Sequence, residues 1–212
     1  MTQATVLLTG ATGYIASHTW LALLEAGYAV VGVDDFSNSS PEVLARIERL
    51  SGARAAFVRA DVRDGAALQR LFEHHAIDAV VHFAALKAVG EPAARPLDYY
   101  PNNLGALITV CQTMQRFGCR RMVFSSSATV YGDCRQLPLT EDAPLSATNP
   151  YGQTKLIGET LLRDLAASDA AWQIATLRYF NPVGAHLSGL IGEDPRGTPN
   201  NLMPYVAQVA VG

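Results

Sequence analysis

Short apolar runs alternate along the chain with longer segments in which apolar residues recur every three or four positions. Six of the short runs predict strands, at Thr5–Thr9, Ala29–Val33, Ala56–Arg59, Ala79–Phe83, Met122–Ser125 and Ile174–Arg178. Five of the longer segments predict helices, at Tyr14–Ala26, Pro41–Leu50, Gly65–His75, Pro96–Phe117 and Pro150–Ala167. Strands that are apolar almost throughout and alternate with helices are typical of a parallel sheet covered on both faces. The predicted fold is therefore α/β, with a doubly wound parallel sheet that binds ligands at the carboxyl ends of its strands.

The pattern changes after residue 180, where glycine and proline become frequent. From Asn181 onward the chain contains Pro182, Gly184, Gly189, Gly192, Pro195, Gly197, Pro199 and Pro204. Such residues interrupt helices and strands and favour loops. We therefore expect residues 1–180 to form the doubly wound domain and residues 181–212 to begin a second, smaller domain.

Composition excludes several classes of protein. A hydrophobic content of 49% in 212 residues supports a large core. A net charge of −3 argues against a dedicated binder of nucleic acids or anionic membranes. The three cysteines lack CxxC spacing, so the sequence predicts neither a disulfide framework nor a metal site. Because no apolar stretch reaches the length of a membrane span and the N-terminus lacks a basic leader segment, we expect a soluble cytoplasmic protein.

A glycine-rich turn joins the first predicted strand to the first predicted helix. Gly10 and Gly13 permit a tight turn in which a pyrophosphate can approach the amide groups at the helix N-terminus, and Ala16 is small enough for close packing. Asp34 follows the second strand, 24 residues after Gly10, where a carboxylate can accept hydrogen bonds from an adenosine ribose. Because this carboxylate would repel a ribose 2′-phosphate, the sequence predicts a Rossmann-like dinucleotide site that favours NAD over NADP. The alternative is an ordinary turn formed by Asp34 and Asp35.

A tyrosine and a lysine one helical turn apart form the candidate catalytic pair. Tyr151 and Lys155 occupy positions i and i+4 of the last predicted helix and therefore share one face. A cation near a tyrosine stabilises the phenolate and makes it a usable base. Only Lys87 and Lys155 are lysines among 16 basic residues, which points to positions where a compact ammonium is needed. The run 125–127 offers a serine hydroxyl that can contact a substrate hydroxyl and relay its proton.

Seven motifs extend over nearly the whole chain. They are GYIASH at 13–18, HFAALKAVGE at 82–91, YYPNN at 99–103, FSSSATVYG at 124–132, PYGQTK at 150–155, RYFNPVGAH at 178–186 and PNNLMPYVAQVAVG at 199–212. In these motifs the chain resembles the extended short-chain dehydrogenases/reductases and, among them, the UDP-glucose 4-epimerase family. It departs from that family at Ala11, Ala16 and Ala85, where glycine is common.

The resemblance implies roles for individual residues. Tyr151 would be the catalytic base, Lys155 its electrostatic partner, and Ser127 the hydroxyl that contacts the sugar. The residues implied to hold NAD are Gly10, Gly13, Tyr14, Ile15, Asp34, Asp61, Val62, Phe83, Ala84, Lys87, Asn102, Ser127, Tyr151, Lys155 and Phe180. Those implied to contact the UDP-hexose substrate are Lys87, Ser127, Tyr151, Asn181, Asn201 and Leu202.

The implied reaction is the interconversion of UDP-galactose and UDP-glucose, in galactose metabolism, through a 4-keto intermediate with tightly bound NAD. The resemblance also implies a homodimer formed through the long helices predicted at Pro96–Phe117 and Pro150–Ala167. A C-terminal lobe normally closes over the nucleotide-sugar in this family. Because this chain stops at Gly212, inside an expected helix, we expect either a fragment of a longer protein or a shortened protein.

Other functions on the same scaffold differ in how well the residues fit them. A nucleotide-sugar 4,6-dehydratase is disfavoured, since the Asp-Glu pair that it normally carries after the catalytic hydroxyl is replaced by Ala128 and Thr129. Nucleotide-sugar reductases and decarboxylases share the Ser–Tyr–Lys trio and stay open, as does a non-catalytic NAD-binding module. His82, directly after a buried strand, is predicted to be a hydrogen-bonded structural histidine.

Overall fold

Six parallel strands form one sheet in the computed structural model, which describes residues 3–87, 95–134, 137–194 and 201–211. The strands are β1 (Thr5–Thr9), β2 (Ala29–Asp34), β3 (Ala56–Arg59), β4 (Ala79–His82), β5 (Arg121–Ser127) and β6 (Gln173–Tyr179). Their order across the sheet is β3-β2-β1-β4-β5-β6, and every neighbouring pair is parallel. The order reverses direction at β1, which confirms the predicted doubly wound, Rossmann-like fold.

Helices connect the strands at the predicted places. They are α1 (Tyr14–Glu25), α2 (Glu42–Ser51), α3 (Gly65–His74), α4 (Pro96–Tyr99), α5 (Gly105–Phe117), α6 (Pro150–Ser168) and α7 (Leu202–Val211). Gly52 and Gly118 end α2 and α5 in the left-handed conformation that glycine adopts readily. None of the helices among the described residues has the length and apolar character needed to cross a membrane.

Two apolar clusters cover the two faces of the sheet. Successive residues of β1 belong to different clusters, because successive side chains of a strand point to opposite faces of the sheet. Leu7 packs in the cluster beneath α3, α5 and α6, whereas Leu8 packs with Trp20 of α1 and Ile47 of α2. Close approach of α1 requires Gly32 in β2, since a Cβ there would lie 2.2 Å from the Trp20 ring. Burial on both faces therefore explains the almost continuously apolar strands.

The helix predicted over Pro96–Phe117 is confirmed over those bounds, but it contains a π-helical segment that the sequence did not predict. After α4, residues Tyr100–Leu104 form a π-helical segment that leads into α5. Pro101 lies in this segment, and its ring has no N–H to donate and clashes with the carbonyl of an ordinary α-helical turn. The wider turn accommodates the proline and brings Asn102 and Asn103 toward the end of β4.

The last strand departs from the predicted burial. β6 pairs only with β5 among the described strands, and it exposes Ala175, Thr176 and Leu177 instead of being covered on both faces. Apolar side chains that follow it are exposed as well, at Phe180, Val183 and Leu187. The division into residues 1–180 and 181–212 stays a prediction. Parts of the predicted motifs, at 88–91, 199–200 and 212, lie outside the described residues.

Candidate functional site

The glycine turn after β1 lies directly against the end of β4. Gly10 has a φ of +64°, and a Cβ on it would stand 2.9 Å from the Ala84 backbone nitrogen. Gly13 donates its N–H to the Gly10 carbonyl at 3.0 Å and begins α1 without a side-chain cap. Glycine is therefore required at position 10 both by the backbone conformation and by the space available. The first amide groups of α1 have no side-chain acceptor at Gly13, so a phosphate group can use them.

Asp34 joins this turn to the end of β2. Its carboxylate accepts hydrogen bonds from the Thr12 N–H at 3.1 Å, the Phe36 N–H at 2.9 Å and the Ser39 hydroxyl at 3.3 Å. Asp34 therefore belongs to a local turn, as the alternative interpretation requires, and Asp35 takes part in it by accepting the Ser37 N–H at 2.8 Å. Two carboxylate oxygens have about four acceptor positions, so these three bonds still leave room for a ribose hydroxyl.

The start of α1 also contacts the segment after β6. The Tyr14 hydroxyl donates a hydrogen bond to the Gly184 carbonyl at 2.6 Å. Burial, reinforced by the negative charge of Glu193, raises the pKa of Tyr14, so the phenol stays protonated. This bond ties the segment at Gly184 to Tyr14, the first residue of α1, which Ile15 follows in the sequence.

Asp61 and Val62 lie at the end of β3, at the far edge of the sheet from β6. Asp61 forms a hydrogen-bonded ion pair with Arg63, which lowers the pKa of the carboxyl group. Val62 is buried in the cluster beneath α3. Neither residue lines the cleft around Tyr151, so any ligand that touches both regions must extend along the carboxyl edge of the sheet.

A buried histidine closes β4. His82 is 1% exposed, and its Nδ1 lies 2.8 Å from the Thr9 hydroxyl oxygen, which also accepts the Ala84 N–H at 3.2 Å. Burial, aided by the charge of Lys155, lowers the pKa of His82 to about 3. The ring is therefore neutral at physiological pH, and the prediction of a hydrogen-bonded structural histidine is confirmed. Phe83 follows it and is partly exposed.

Asn103 holds the segment after β4 in place. Its side-chain oxygen accepts the Leu86 N–H at 2.8 Å and an N–H of Asn102 at 3.0 Å. Its amide group donates to the Leu86 carbonyl at 3.2 Å and to the Thr154 hydroxyl at 3.0 Å. The asparagine thus joins Leu86, the residue before Lys87, to Thr154 of α6. Asn102 was predicted as a site residue and Asn103 was not, although both stand in the YYPNN motif.

Lys155 is buried under Tyr151. Its Nζ donates to the Ser125 carbonyl at 2.7 Å and lies 5.8 Å from the centre of the Tyr151 ring and 5.0 Å from that of Phe124. Burial lowers the pKa of Lys155 to about 7. An ammonium has three N–H groups, so two remain for other acceptors. The predicted sharing of one helix face is confirmed.

Ser127 and Tyr151 meet at the end of β5. Both side chains line one cleft, and burial raises the pKa of Tyr151, while the neighbouring Ser127 side chain lowers it to a smaller extent. Ser127 is the last residue of β5, and its Oγ accepts the Thr129 N–H at 3.2 Å and the Thr129 hydroxyl at 3.0 Å. The structure therefore selects Ser127 from the serine run as the partner of Tyr151.

A cleft of about 230 Å³ opens beside these two side chains. Its lining consists of Lys87, Ser127, Ala128, Thr129, Tyr151, Phe180, Asn181 and Asn201. Six of the eight are predicted site residues, whereas Ala128 and Thr129 were considered only as replacements for an acidic pair. Predicted Leu202 does not line the cleft and is 75% exposed.

A buried polar network joins the strands and the helix that carry the residues of the cleft. Glu159 of α6 accepts a hydrogen bond from Ser126 and two from Arg178 of β6, at 3.0 and 2.8 Å. Arg178 also donates to the Tyr131 hydroxyl at 2.9 Å and to the Glu141 carbonyl at 3.0 Å. These contacts tie together two strands, a helix and the loop before α6. Sequence reasoning missed the network because its members lie far apart along the chain.

Comparison with known proteins identifies the family to which the chain belongs. The sequence matches the NAD dependent epimerase/dehydratase family over residues 6–211, almost its full length. The chain belongs to this family. The family resemblance that the seven sequence motifs indicate is thereby confirmed.

Individual members of the epimerase/dehydratase family are closely similar to the chain. It is 56% identical over 207 residues to UDP-glucose 4-epimerase of Bacillus subtilis and 54% identical over 214 residues to that of Mus musculus. Each match covers 98% of the chain but 61% and 62% of the relative. A crystal structure of UDP-glucose 4-epimerase from Bifidobacterium longum with NAD⁺ and UDP has a TM-score of 0.96 and 52% identity, over 99% of this chain and 63% of that one. The chain thus spans about three fifths of the length of these relatives.

Proposed function

We propose that the chain provides the NAD-binding and catalytic part of an enzyme that interconverts UDP-galactose and UDP-glucose. The observation that carries the proposal is the meeting of Ser127 and Tyr151 at one cleft, with Lys155 one helical turn along α6. The cleft also contains Asn181 and Asn201, whose amides suit the polar groups of a nucleotide-sugar.

NAD fits the residues along the carboxyl edge of the sheet. The Gly10 turn and the start of α1 suit the pyrophosphate, and Asp34 suits the adenosine ribose. We assign the remaining contacts to Tyr14, Ile15, Asp61, Val62, Phe83, Ala84, Lys87, Asn102 and Phe180, by the family resemblance. Bound NAD would supply a reversible acceptor for the hydride at C4 of the sugar, so that the complete reaction leaves no net redox change.

The residues of the cleft perform the proton chemistry. Tyr151, as the phenolate, takes the proton of the sugar 4-hydroxyl, and Ser127, which lines the same cleft, holds that hydroxyl or relays its proton. Loss of this proton together with the C4 hydride, which bound NAD would accept, would give a 4-keto sugar that turns over in the cleft. Return of the hydride to the other face of C4 would be balanced by return of the proton from Tyr151 to the 4-oxygen. Lys155 provides a buried positive charge beside the phenol. The absence of carboxylates at Ala128 and Thr129 leaves no acid–base pair for elimination of water at these two positions.

The test is an assay of the protein that carries this sequence, with UDP-galactose as substrate. We expect UDP-glucose to form without net accumulation of NADH. Tyr151→Phe removes the base and should lower turnover at least roughly 100-fold, while NAD remains bound. Tyr28→Phe, at a half-exposed tyrosine between α1 and β2, serves as the control and should behave as wild type. Net NADH production, or wild-type turnover in Tyr151→Phe, would contradict the proposal.

We further propose that the protein forms a homodimer through α5 and α6. A groove of about 330 Å³ runs between these helices, lined by Ile108, Cys111, Gln112, Gln115, Leu161, Asp164, Leu165 and Ser168. Ile108 and Ile157, one on each helix, are 40% and 41% exposed. A mixed apolar and polar surface of this kind suits association with an identical copy.

A cytoplasmic location is also part of the proposal. Cys111 and Cys119 are buried free thiols. Free thiols persist in a reducing compartment.

A further inference from the structure

We propose that residues 182–191 form a strap that retains the bound dinucleotide, an inference that rests on the NAD site proposed above. The strap starts directly after Phe180 and Asn181, which line the cleft. It ends at Ile191, which is 4% exposed and belongs to the apolar cluster that contains Trp20 of α1 and Ile47 of α2. The strap therefore connects the cleft to the helices on the other side of the dinucleotide site.

The position of its two ends makes the strap cross the ends of several strands. β6 stands at one side of the sheet, and β4 and β5 lie between it and β1, which leads into α1. Because the strands are parallel, their carboxyl ends lie along the same edge of the sheet, which also carries the Gly10 turn and Asp34. The strap thus passes along the part of the molecule where we propose that NAD binds.

Contacts with both helices hold the strap in place. The Tyr14 hydroxyl, at the start of α1, donates to the Gly184 carbonyl at 2.6 Å. The Arg46 guanidinium of α2 donates to the Leu190 carbonyl at 3.3 Å. Ile191 is buried, and burial of an isoleucine side chain contributes more than a hydrogen bond that faces solvent. Ile191 is therefore the main attachment of the strap, and Tyr14 is a second one.

Hydrogen bonds within the strap give its last part a defined shape. The His186 N–H donates to the Ile191 carbonyl at 2.8 Å, and the Gly189 N–H donates to the His186 carbonyl at 2.8 Å. Beyond the strap, the Glu193 carboxylate accepts a hydrogen bond from Asn201, which lines the cleft. The chain therefore leaves the cleft, attaches to α1 and α2, and is bonded to the cleft again.

Retention of the dinucleotide matters for the proposed reaction. A hydride leaves the sugar in the first half and returns in the second, so a dinucleotide lost in between would stop the cycle. A dinucleotide held between the Gly10 turn and the cleft can leave only after the strap opens. Weaker attachment of the strap should therefore speed its dissociation, even where the catalytic trio is intact.

The dissociation rate of NAD tests the strap directly, in the protein that carries this sequence. The protein is loaded with radiolabelled NAD and chased with an excess of unlabelled NAD, and the label that stays with the protein is followed over time. Ile191→Ala should speed dissociation at least about tenfold, because it removes most of the buried side chain. Tyr14→Phe keeps the ring and loses the bond to Gly184, and should speed dissociation roughly threefold.

Matched variants separate the strap from general stability. Leu50→Ala truncates a side chain of α2 that packs against the same apolar cluster as Ile191 but lies outside the strap. It should lower Tm and leave the dissociation rate as in wild type. Tyr28→Phe, at a tyrosine between α1 and β2, is the control for Tyr14→Phe and should also retain NAD as wild type does.

Turnover provides a second measurement. With UDP-galactose and no added NAD, we expect Ile191→Ala to lose activity during the assay and to release NADH, and added NAD should restore the activity. Wild-type dissociation rates in both Ile191→Ala and Tyr14→Phe, or an equal acceleration in Leu50→Ala, would overturn the strap while leaving the proposed function intact. A wild-type protein that binds no NAD would contradict the proposed function and the strap together.

Discussion

At the scale of single residues, two buried titratable groups lie against the ring of Phe124. His82 and Lys155 both have lowered pKa values, of about 3 and about 7, mainly because burial disfavours their charged forms. The unfolded chain binds protons at each group more readily than the folded chain does. Stability therefore rises with pH through His82 between about pH 3 and 6.5, and through Lys155 between about pH 7 and 10.5.

The contribution of His82 can be isolated with His82→Gln, which keeps a hydrogen-bonding side chain beside Thr9 but does not titrate. Above pH 6.5 the difference in free energy of unfolding between wild type and variant should be constant. As pH falls toward 3, wild type should lose up to about 1.4 kcal/mol per pH unit relative to the variant, because one proton is taken up on unfolding. Urea unfolding at pH 8, 6 and 4.5 measures this. A difference that does not change with pH would contradict a buried neutral imidazole.

At the scale of secondary-structure elements, the ion pair between Glu159 and Arg178 joins α6 to β6. The exposed fractions of these two side chains are 4% and 18%. Glu159 is also bonded to Ser126, the neighbour of Ser127. Because Tyr151 and Glu159 stand on the same helix, this pair holds the helix that carries Tyr151 against β5 and β6.

Glu159→Gln should destabilise the protein by about 3 kcal/mol, because it leaves the Arg178 guanidinium poorly compensated in a largely buried position. Glu42→Gln is the matched control, since it breaks the exposed pair with Arg46 in α2 and should cost about 0.5 kcal/mol or less. Urea unfolding at pH 7.5 compares them. Equal effects of the two substitutions would show that the network contributes little.

The sequence predicted the elements better than the contacts between them. The apolar runs of β1 to β5 reflect burial on both faces, which is why their positions were found. The π-helical segment was not predicted, because Pro101 interrupts the α-helical backbone hydrogen bonds without breaking the apolar periodicity of the sequence. The Glu159 network joins residues that only the folded sheet brings together. The sequence also did not predict the tight turn at Gly132, where a Cβ would stand 2.0 Å from the Ser146 carbonyl oxygen.

At the scale of the whole molecule, the groove between α5 and α6 bears on oligomeric state. Ile108→Glu places a charge at the proposed interface, where it would be buried without a partner, and should convert the dimer to a monomer. Tyr28→Glu is the control, because Tyr28 has a similar exposure of 41% but lies between α1 and β2. Sedimentation velocity at micromolar concentration distinguishes the forms. A monomeric wild type, or a dimeric Ile108→Glu variant, argues against this interface.

The π-helical segment at Tyr100–Leu104 has a consequence for how this region can change in evolution. Removing one residue would allow an uninterrupted α-helix, which is the more stable geometry. It would also rotate everything before the deletion by about 100° relative to α5, so buried Tyr99 would leave its position and Asn102 and Asn103 would no longer lie in register with Leu86. Substitutions that preserve chain length are therefore easier to tolerate here than a shortening by one residue. We expect alignment gaps to avoid this turn.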